Sequence, residues 1–224
     1  MSENFVSVAI DGPVGAGKST IARTAAQRLG FIYADTGALY RAVGLRCIRN
    51  GVDLGDKSAI AAAVGGIKPE IKLCEGVQHV YLNGEDVSAE IRLPEVSMAA
   101  SAVSSVPEVR AALLEMQRDI ARKNSVIMDG RDIGTVVLPN ADVKIFLTAA
   151  PEIRARRRFD ELRAKGSAVT FEEVLSDLNK RDYNDSHRAA APLKQAEDAV
   201  LADTSGLDFE QSVELVCGII KERL

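Results

Sequence analysis

The chain has 224 residues, 46% hydrophobic and 27% charged, with 28 Lys and Arg against 32 Asp and Glu for a net charge of −4. That length suits one α/β core with an inserted subdomain, and two full domains would be cramped. An acidic balance argues against general nucleic-acid binding, and no apolar run approaches the roughly 20 residues that span a bilayer, so neither nucleic acid nor membrane is an expected partner.

The N-terminus has no basic region followed by an apolar stretch, which makes the cytoplasm the expected compartment. Cys47, Cys74 and Cys217 lack metal-ligand spacing and read as packing residues. The first apolar run, VSVAI, reads as a buried parallel strand, and IARTAAQRL beyond it carries apolar residues at helical spacing. Between them stands GPVGAGKST, a complete G-x-x-x-x-G-K-[ST] pattern: Gly12, Pro13, Val14, Gly15, Ala16, Gly17, Lys18, Ser19 and Thr20. Glycines let the backbone curl with its N–H groups inward, and the start of a helix adds its positive dipole end, so phosphate oxygens fill the nest. Lys18 is placed to bridge the outer phosphates of a nucleotide and the Ser19 hydroxyl to ligate Mg²⁺. Motors, switches, transporters and small-molecule kinases share such a loop, and a Gly-rich strand-to-helix turn with an incidental lysine would look similar.

Further along, FIYAD, VIMDG, KIFL and AVLAD are short, turn-bounded apolar runs separated by helical patterns. With VSVAI they predict an α/β fold, a parallel five-stranded sheet flanked by helices. IKL, HVYL and YLNGEDVS interrupt the alternation, and Asn83-Gly84 favours a tight hairpin turn. A small antiparallel insert is therefore expected over about residues 67–90. DGRD follows VIMDG's strand pattern and puts Asp129 at a carboxyl end, where it serves either as the Walker B magnesium ligand or as a turn aspartate. Arg131 and Asp132 follow directly.

PEIRARRRFDELRAKG then places Arg154, Arg157 and Arg158 on one helical face, with six basic residues from Arg154 to Lys165 against Asp160 and Glu161. Such a run is a solvated face or, above a nucleotide loop, a lid whose cations close over the phosphates. NKRD, Asn179 to Asp182, fits the guanine-reading N-K-x-D pattern, yet FEEVLSDLNKRDY is an amphipathic helix pattern and DGRD has Asp132 where a switch needs glycine. A GTPase is thus disfavoured. AAAPLKQAED reads as a loop, and a final helix is predicted from about Phe209 to Arg223.

GPVGAGKST, DTGALYR, SAVSSVPEVR, DGRDIGTVV, KIFL, RDYNDSHR and AAPL occur in an order and spacing that resembles the bacterial-type cytidylate kinases, over nearly the whole chain. The resemblance implies a P-loop nucleoside-monophosphate-kinase fold. A CORE would cover about 1–60, 105–150 and 168–224, a small antiparallel NMP-binding insert about 61–104, and a short helical LID about 151–167. It implies transfer of the γ-phosphoryl of ATP to CMP or dCMP with Mg²⁺ at Ser19 and Asp129, and a monomer is expected. It also implies acceptor contacts at Thr36, Arg41, Ser101, Arg110, Arg131, Asp132, Arg181, Asp185 and Arg188.

Within that set, Arg41, Arg131 and Arg188 would hold the acceptor phosphate with guanidinium forks. Arg181 and Asp185 would take the ribose hydroxyls, although their spacing alone reads as an i, i+4 salt bridge. Ser101, Arg110 and Asp132 would read cytosine, whose amine and ring acceptor complement a carboxylate, a hydroxyl and an arginine. Lys18, Arg131, Arg157, Arg158 and Arg188 are the expected catalytic residues, acting on charge and position without a covalent intermediate. Val14 and Thr36 depart from the family, which often has serine at both positions. The rivals are a kinase for another acceptor, such as UMP, AMP or shikimate, and a regulatory module that binds nucleotide without turnover. His79 and His187 receive no role.

Overall fold

The computed structural model describes residues 5–67, 69–74, 77–164 and 166–224. Lys165 of the basic run, Lys68, Glu75 and Gly76 of the expected insert, and the side chain of Cys74 lie outside that description.

In chain order the elements are β1 (Ser7–Asp11), α1 (Lys18–Leu29), β2 (Ile32–Asp35), α2 (Thr36–Arg49), α3 (Lys57–Val64), β3 (Pro69–Cys74), β4 (Val77–Leu82) and β5 (Glu85–Asp86). After these come α4 (Pro94–Ser104), α5 (Pro107–Lys123), β6 (Val126–Gly130), β7 (Val143–Thr148), α6 (Pro151–Ala164), α7 (Phe171–His187), β8 (Val200–Asp203) and α8 (Phe209–Arg223). The chain divides into two compact units, Met1–Tyr33 with Asn124–Leu224, and Ala34–Lys123.

All five apolar runs are strands of one sheet, in the order β2-β6-β1-β7-β8. β1 pairs in parallel with β6 on one side and β7 on the other, and β7 pairs in parallel with β8. The sheet is central because its strands are buried on both faces: Val8, Ile10, Ile127, Ile145 and Leu147 share one face and pack with Ile21, Ala22 and Ala25 of α1 and Val213, Val216 and Ile220 of α8, while Ala9, Val126 and Met128 are buried on the other. Helix starts are set locally. Thr170 with Glu173 and Asp208 with Gln211 form reciprocal capping boxes that satisfy the first amides of α7 and α8. β1 lies where the strand order reverses direction, so its carboxyl end opens the crevice in which such sheets bind ligands. Register puts Ile10 beside Asp129 and Asp11 beside Gly130 at that edge.

In the second unit, β3, β4 and β5 form an antiparallel sheet. Asn83 and Gly84 both have positive φ, 51° and 90°, as the tight turn between β4 and β5 requires. Val80, Leu82, Val87, Ile91 and Val96 pack on Ala38, Ala42 and Leu45 of α2, and the opposite side of α2 buries Leu39, Val43 and Cys47 against Ile60, Val103, Val109 and Leu113. Cys47 and Cys217 are buried free thiols, as packing residues should be. Among the described residues no helix is long and apolar enough to cross a membrane. NKRD lies inside α7, which removes the buried strand that a guanine motif follows.

Candidate active site

GPVGAGKST connects β1 to the first turn of α1. At Gly12 φ is 154°, and a Cβ would stand 1.9 Å from the Leu147 carbonyl oxygen of β7, so only glycine lets the loop leave the sheet there. Lys18 folds back over the loop and donates from Nζ to the Pro13 carbonyl at 2.7 Å. It is buried, and burial together with the Arg131 guanidinium lowers its ammonium from 10.5 to about 7, against the pull of Asp129, Asp11 and Asp185.

One residue on, Ser19 Oγ donates to Asp129 Oδ2 at 2.9 Å, while Tyr33 Oη donates to Asp129 Oδ1 at 2.8 Å. Asp129 is thus held from both sides at the end of β6. Asp11, one strand over, accepts from the Ile133 and Gly134 amides at 2.8 and 2.7 Å, pinning the loop after DGRD to the end of β1. Its burial raises the carboxyl from 3.8 to about 6 despite those two amides, which pull it down.

Arg131 donates from Nε to Asp185 Oδ2 at 2.8 Å, and Arg188 reaches Asp132 Oδ1 at 3.4 Å while its Nε donates to the Ala191 carbonyl at 2.6 Å. Asp132 is buried and Arg181 exposed. The i, i+4 spacing of Arg181 and Asp185 does not produce a salt bridge among the described residues, because Asp185 turns to Arg131 instead. The first unit therefore gathers Lys18, Ser19, Asp129, Arg131, Asp132, Asp185 and Arg188 around the carboxyl ends of β1 and β6.

The arginines of α6 separate. Arg154 is buried, whereas Arg157 donates to the Thr204 carbonyl at 2.8 Å and the Leu207 carbonyl at 3.3 Å. Arg158 pairs with Glu161 at 2.7 Å on the exposed side.

In the second unit, Thr36 opens α2 and is buried, and Arg41 pairs with Asp35 Oδ2 at 2.6 Å. Asp35 also caps α2 by accepting the Ala38 amide at 3.1 Å, and its own amide donates to Gln78 Oε1 of β4 at 2.8 Å. Ser101 sits on α4 and is partly exposed; Arg110 of α5 lies over the Tyr40 ring, 5.6 Å from its centroid. The division of the chain places Thr36, Arg41, Ser101 and Arg110 in this unit and the remaining acceptor candidates in the other.

Residues 8–222 match the family model for cytidylate kinase. The chain belongs to the cytidylate kinase family. It is an ATP-dependent kinase. Cytidylate kinases of Caldicellulosiruptor bescii and Pelotomaculum thermopropionicum are 51% and 50% identical to it, over 94% and 95% of this chain and 93% and 95% of theirs. A solved structure of an uncharacterized protein from Eubacterium ventriosum superposes with a TM-score of 0.58 at 12% identity, covering 98% of this chain and 100% of that one, a likeness of fold alone.

Sequence reasoning for this kinase missed Asp11, Tyr33, Asp35 and Gln78; it read Arg154 only as one of three lid or surface arginines, and Asp182 only as the end of a disfavoured guanine motif. Asp11 carried a readable signal, a charged residue closing an apolar strand just before the phosphate loop. Tyr33 and Gln78 carried none, since each acts through a partner far away in sequence.

Proposed function

We propose that the chain transfers the γ-phosphoryl group of ATP to CMP or dCMP, giving ADP and CDP or dCDP, by direct in-line displacement. The observation that carries this is the pairing of a buried Lys18 at the head of α1 with the Ser19–Asp129 contact at 2.9 Å, in a chain of this family. In-line transfer between two anions needs positioning and charge compensation and little covalent chemistry. Gly12 to Thr20 would bind ATP, with Lys18 following the moving phosphoryl.

Mg²⁺ is the proposed cofactor, and the residues suit it. A hydroxyl and a carboxylate oxygen lie side by side at Ser19 and Asp129, hard ligands of the kind this ion takes beside substrate phosphates and water. Among the described residues no cluster of three or more His, Cys, Asp and Glu forms an all-protein metal cage, which also agrees with an ion shared with the nucleotide. When bound, Mg²⁺ would neutralise charge on the β- and γ-phosphates.

Thr36, Arg41, Ser101, Arg110, Arg131, Asp132, Arg181, Asp185 and Arg188 are the proposed acceptor contacts. Arg41, Arg131 and Arg188 each pair with a carboxylate, Asp35, Asp185 and Asp132 in turn, and a bound phosphate would compete for those guanidinium groups. Asp132, Ser101 and Arg110 would read cytosine. The CORE, insert and LID boundaries given above are proposed as the functional division, with Arg157 and Arg158 on the LID side.

A cytoplasmic monomer in pyrimidine metabolism, with neither nucleic acid nor membrane as partner, is part of the same proposal. The test is a coupled ADP-release assay across CMP, dCMP, UMP, AMP, GMP and shikimate. Turnover confined to the cytidine nucleotides is expected; ATP binding without turnover of any acceptor would favour the regulatory module.

A further inference from the structure

The Asp182 of NKRD, left over once a guanine site is excluded, has an identifiable partner. Its Oδ1 accepts from the Val14 amide at 3.3 Å, and its Oδ2 accepts from Arg154 Nη1 at 2.6 Å. The same Arg154 Nη1 donates to the Val14 carbonyl at 2.8 Å, and Arg154 Nε donates to the Ala149 carbonyl at 2.8 Å. Arg154 is one of the few charged side chains with almost no exposure, 5%, against 22% for Asp182. Val14 packs beside Ala155 of α6 and Val174 and Leu178 of α7. An ion pair from α6 and α7 therefore grips both the N–H and the C=O of a single residue in the phosphate loop.

We infer that Arg154 and Asp182 are positioning residues for the donor nucleotide, fixing the phosphate loop at Val14 and tying it to the α6–α7 pair. The peptide group is planar and trans, so its C=O and N–H point in opposite directions. Holding the Val14 oxygen on Arg154 therefore aims the Gly15 N–H away from Arg154, and holding the Val14 N–H on Asp182 fixes the peptide plane before it. Donors that are preset cost no reorganisation when a phosphate arrives. Neither side chain needs to touch the nucleotide. The helix pair that carries Arg157 and Arg158 also shares this anchor, so loop occupancy and helix position become linked through Val14.

This inference rests on the proposed assignment of Gly12–Thr20 to the donor, and the test separates the two. ADP and CMP affinities are measured by calorimetry for wild type, Lys18→Met, Arg154→Lys, Asp182→Asn and the Arg154→Lys/Asp182→Asn double variant, with melting temperatures alongside. ADP binding to wild type that is weakened in Lys18→Met supports the loop assignment whatever the other variants do.

Arg154→Lys keeps the charge but loses the fork, and a displacement of this kind costs roughly 10- to 100-fold in ADP affinity while leaving CMP affinity unchanged. Asp182→Asn keeps an acceptor for the Val14 amide and should lose less. The double variant should fall short of the sum, because both substitutions break one unit. A lower melting temperature with unchanged ADP affinity would reduce the pair to a structural ion pair and overturn the inference. Equal weakening of ADP and CMP would overturn it too. Should Arg154→Lys fail to fold, Asp182→Asn alone decides by the same ratio, and a wild type that binds no ADP removes both readings.

Discussion

Ser19 Oγ and Asp129 Oδ2 meet at 2.9 Å, joining the first turn of α1 to the end of β6. Under the proposed Mg²⁺ assignment these two oxygens would be the protein's share of the ion's shell. Asp129→Asn keeps the shape and removes the charge, so kcat is expected to fall roughly 10²- to 10³-fold, in the range for one lost electrostatic group at a transition state. The measurement is steady-state turnover over a Mg²⁺ series. Wild-type activity and Mg²⁺ dependence in the variant would return Asp129 to a turn residue.

Nucleotide binding should move a proton onto Lys18. Its ammonium is lowered to about 7 by burial and by Arg131, and anionic phosphates favour the charged form. At about pH 8 the free enzyme therefore carries mostly neutral Lys18, and ADP binding takes up a proton. Calorimetry in buffers of different ionisation enthalpy reads the uptake directly. It should vanish in Lys18→Met, which should also lose nearly all transfer while keeping the fold; identical uptake in wild type and variant would place the proton elsewhere.

Asp11 makes a stability prediction with a definite sign. Its carboxyl is raised from 3.8 to about 6, so between those values the folded protein holds a proton that the unfolded chain has released. Its contribution to stability is fully present below 3.8 and is lost as the pH rises through about 6. Asp11→Asn removes that component. Urea denaturation of the ligand-free protein from about pH 4 to 7 should show the difference between variant and wild type changing across this window. A constant difference would mean that Asp11 does not titrate there.

Arg157 and Arg158 occupy different settings and should fail differently. Arg157 donates to the carbonyls of Thr204 and Leu207, and because the Thr204 carbonyl also accepts the Leu207 amide, Arg157→Ala should cost about 0.5–1.5 kcal/mol of stability. Arg158 pairs with Glu161 on the surface, so Arg158→Ala should be nearly neutral in melting temperature. If both act on the transferred phosphoryl, each variant lowers kcat more than it weakens CMP binding. Unchanged kcat in Arg158→Ala would leave it a solvated surface cation.

Asp132 is the proposed reader of the cytosine amine. A carboxylate only accepts, whereas asparagine can also donate to a uracil carbonyl, so Asp132→Asn should narrow the kcat/KM ratio of CMP to UMP, largely by loss on CMP. Sites built around a buried hydrogen bond reject the mismatched analogue by roughly 10⁴-fold, which leaves ample range. Asp132 also lies 3.4 Å from Arg188, so part of the loss should appear as weaker CMP binding. A ratio that does not move would separate Asp132 from the base.

The sheet was legible because each of its strands is a short apolar run closed by turn residues, and the phosphate loop because its chemistry is confined to nine consecutive residues, Gly12 to Thr20. Helix α8 and the Asn83-Gly84 turn were legible for the same reason, local signals with local causes. Tertiary structure decided what depends on partners distant along the chain. Spacing pairs Arg181 with Asp185, yet the fold gives Asp185 to Arg131, 54 positions away. Spacing also makes Arg154, Arg157 and Arg158 equivalent on one helical face, yet packing buries Arg154 against Val14, 140 positions away, and leaves Arg158 exposed. A charged side chain's partner is chosen by which elements lie within a few ångströms of it, and sequence alone holds no distance between elements.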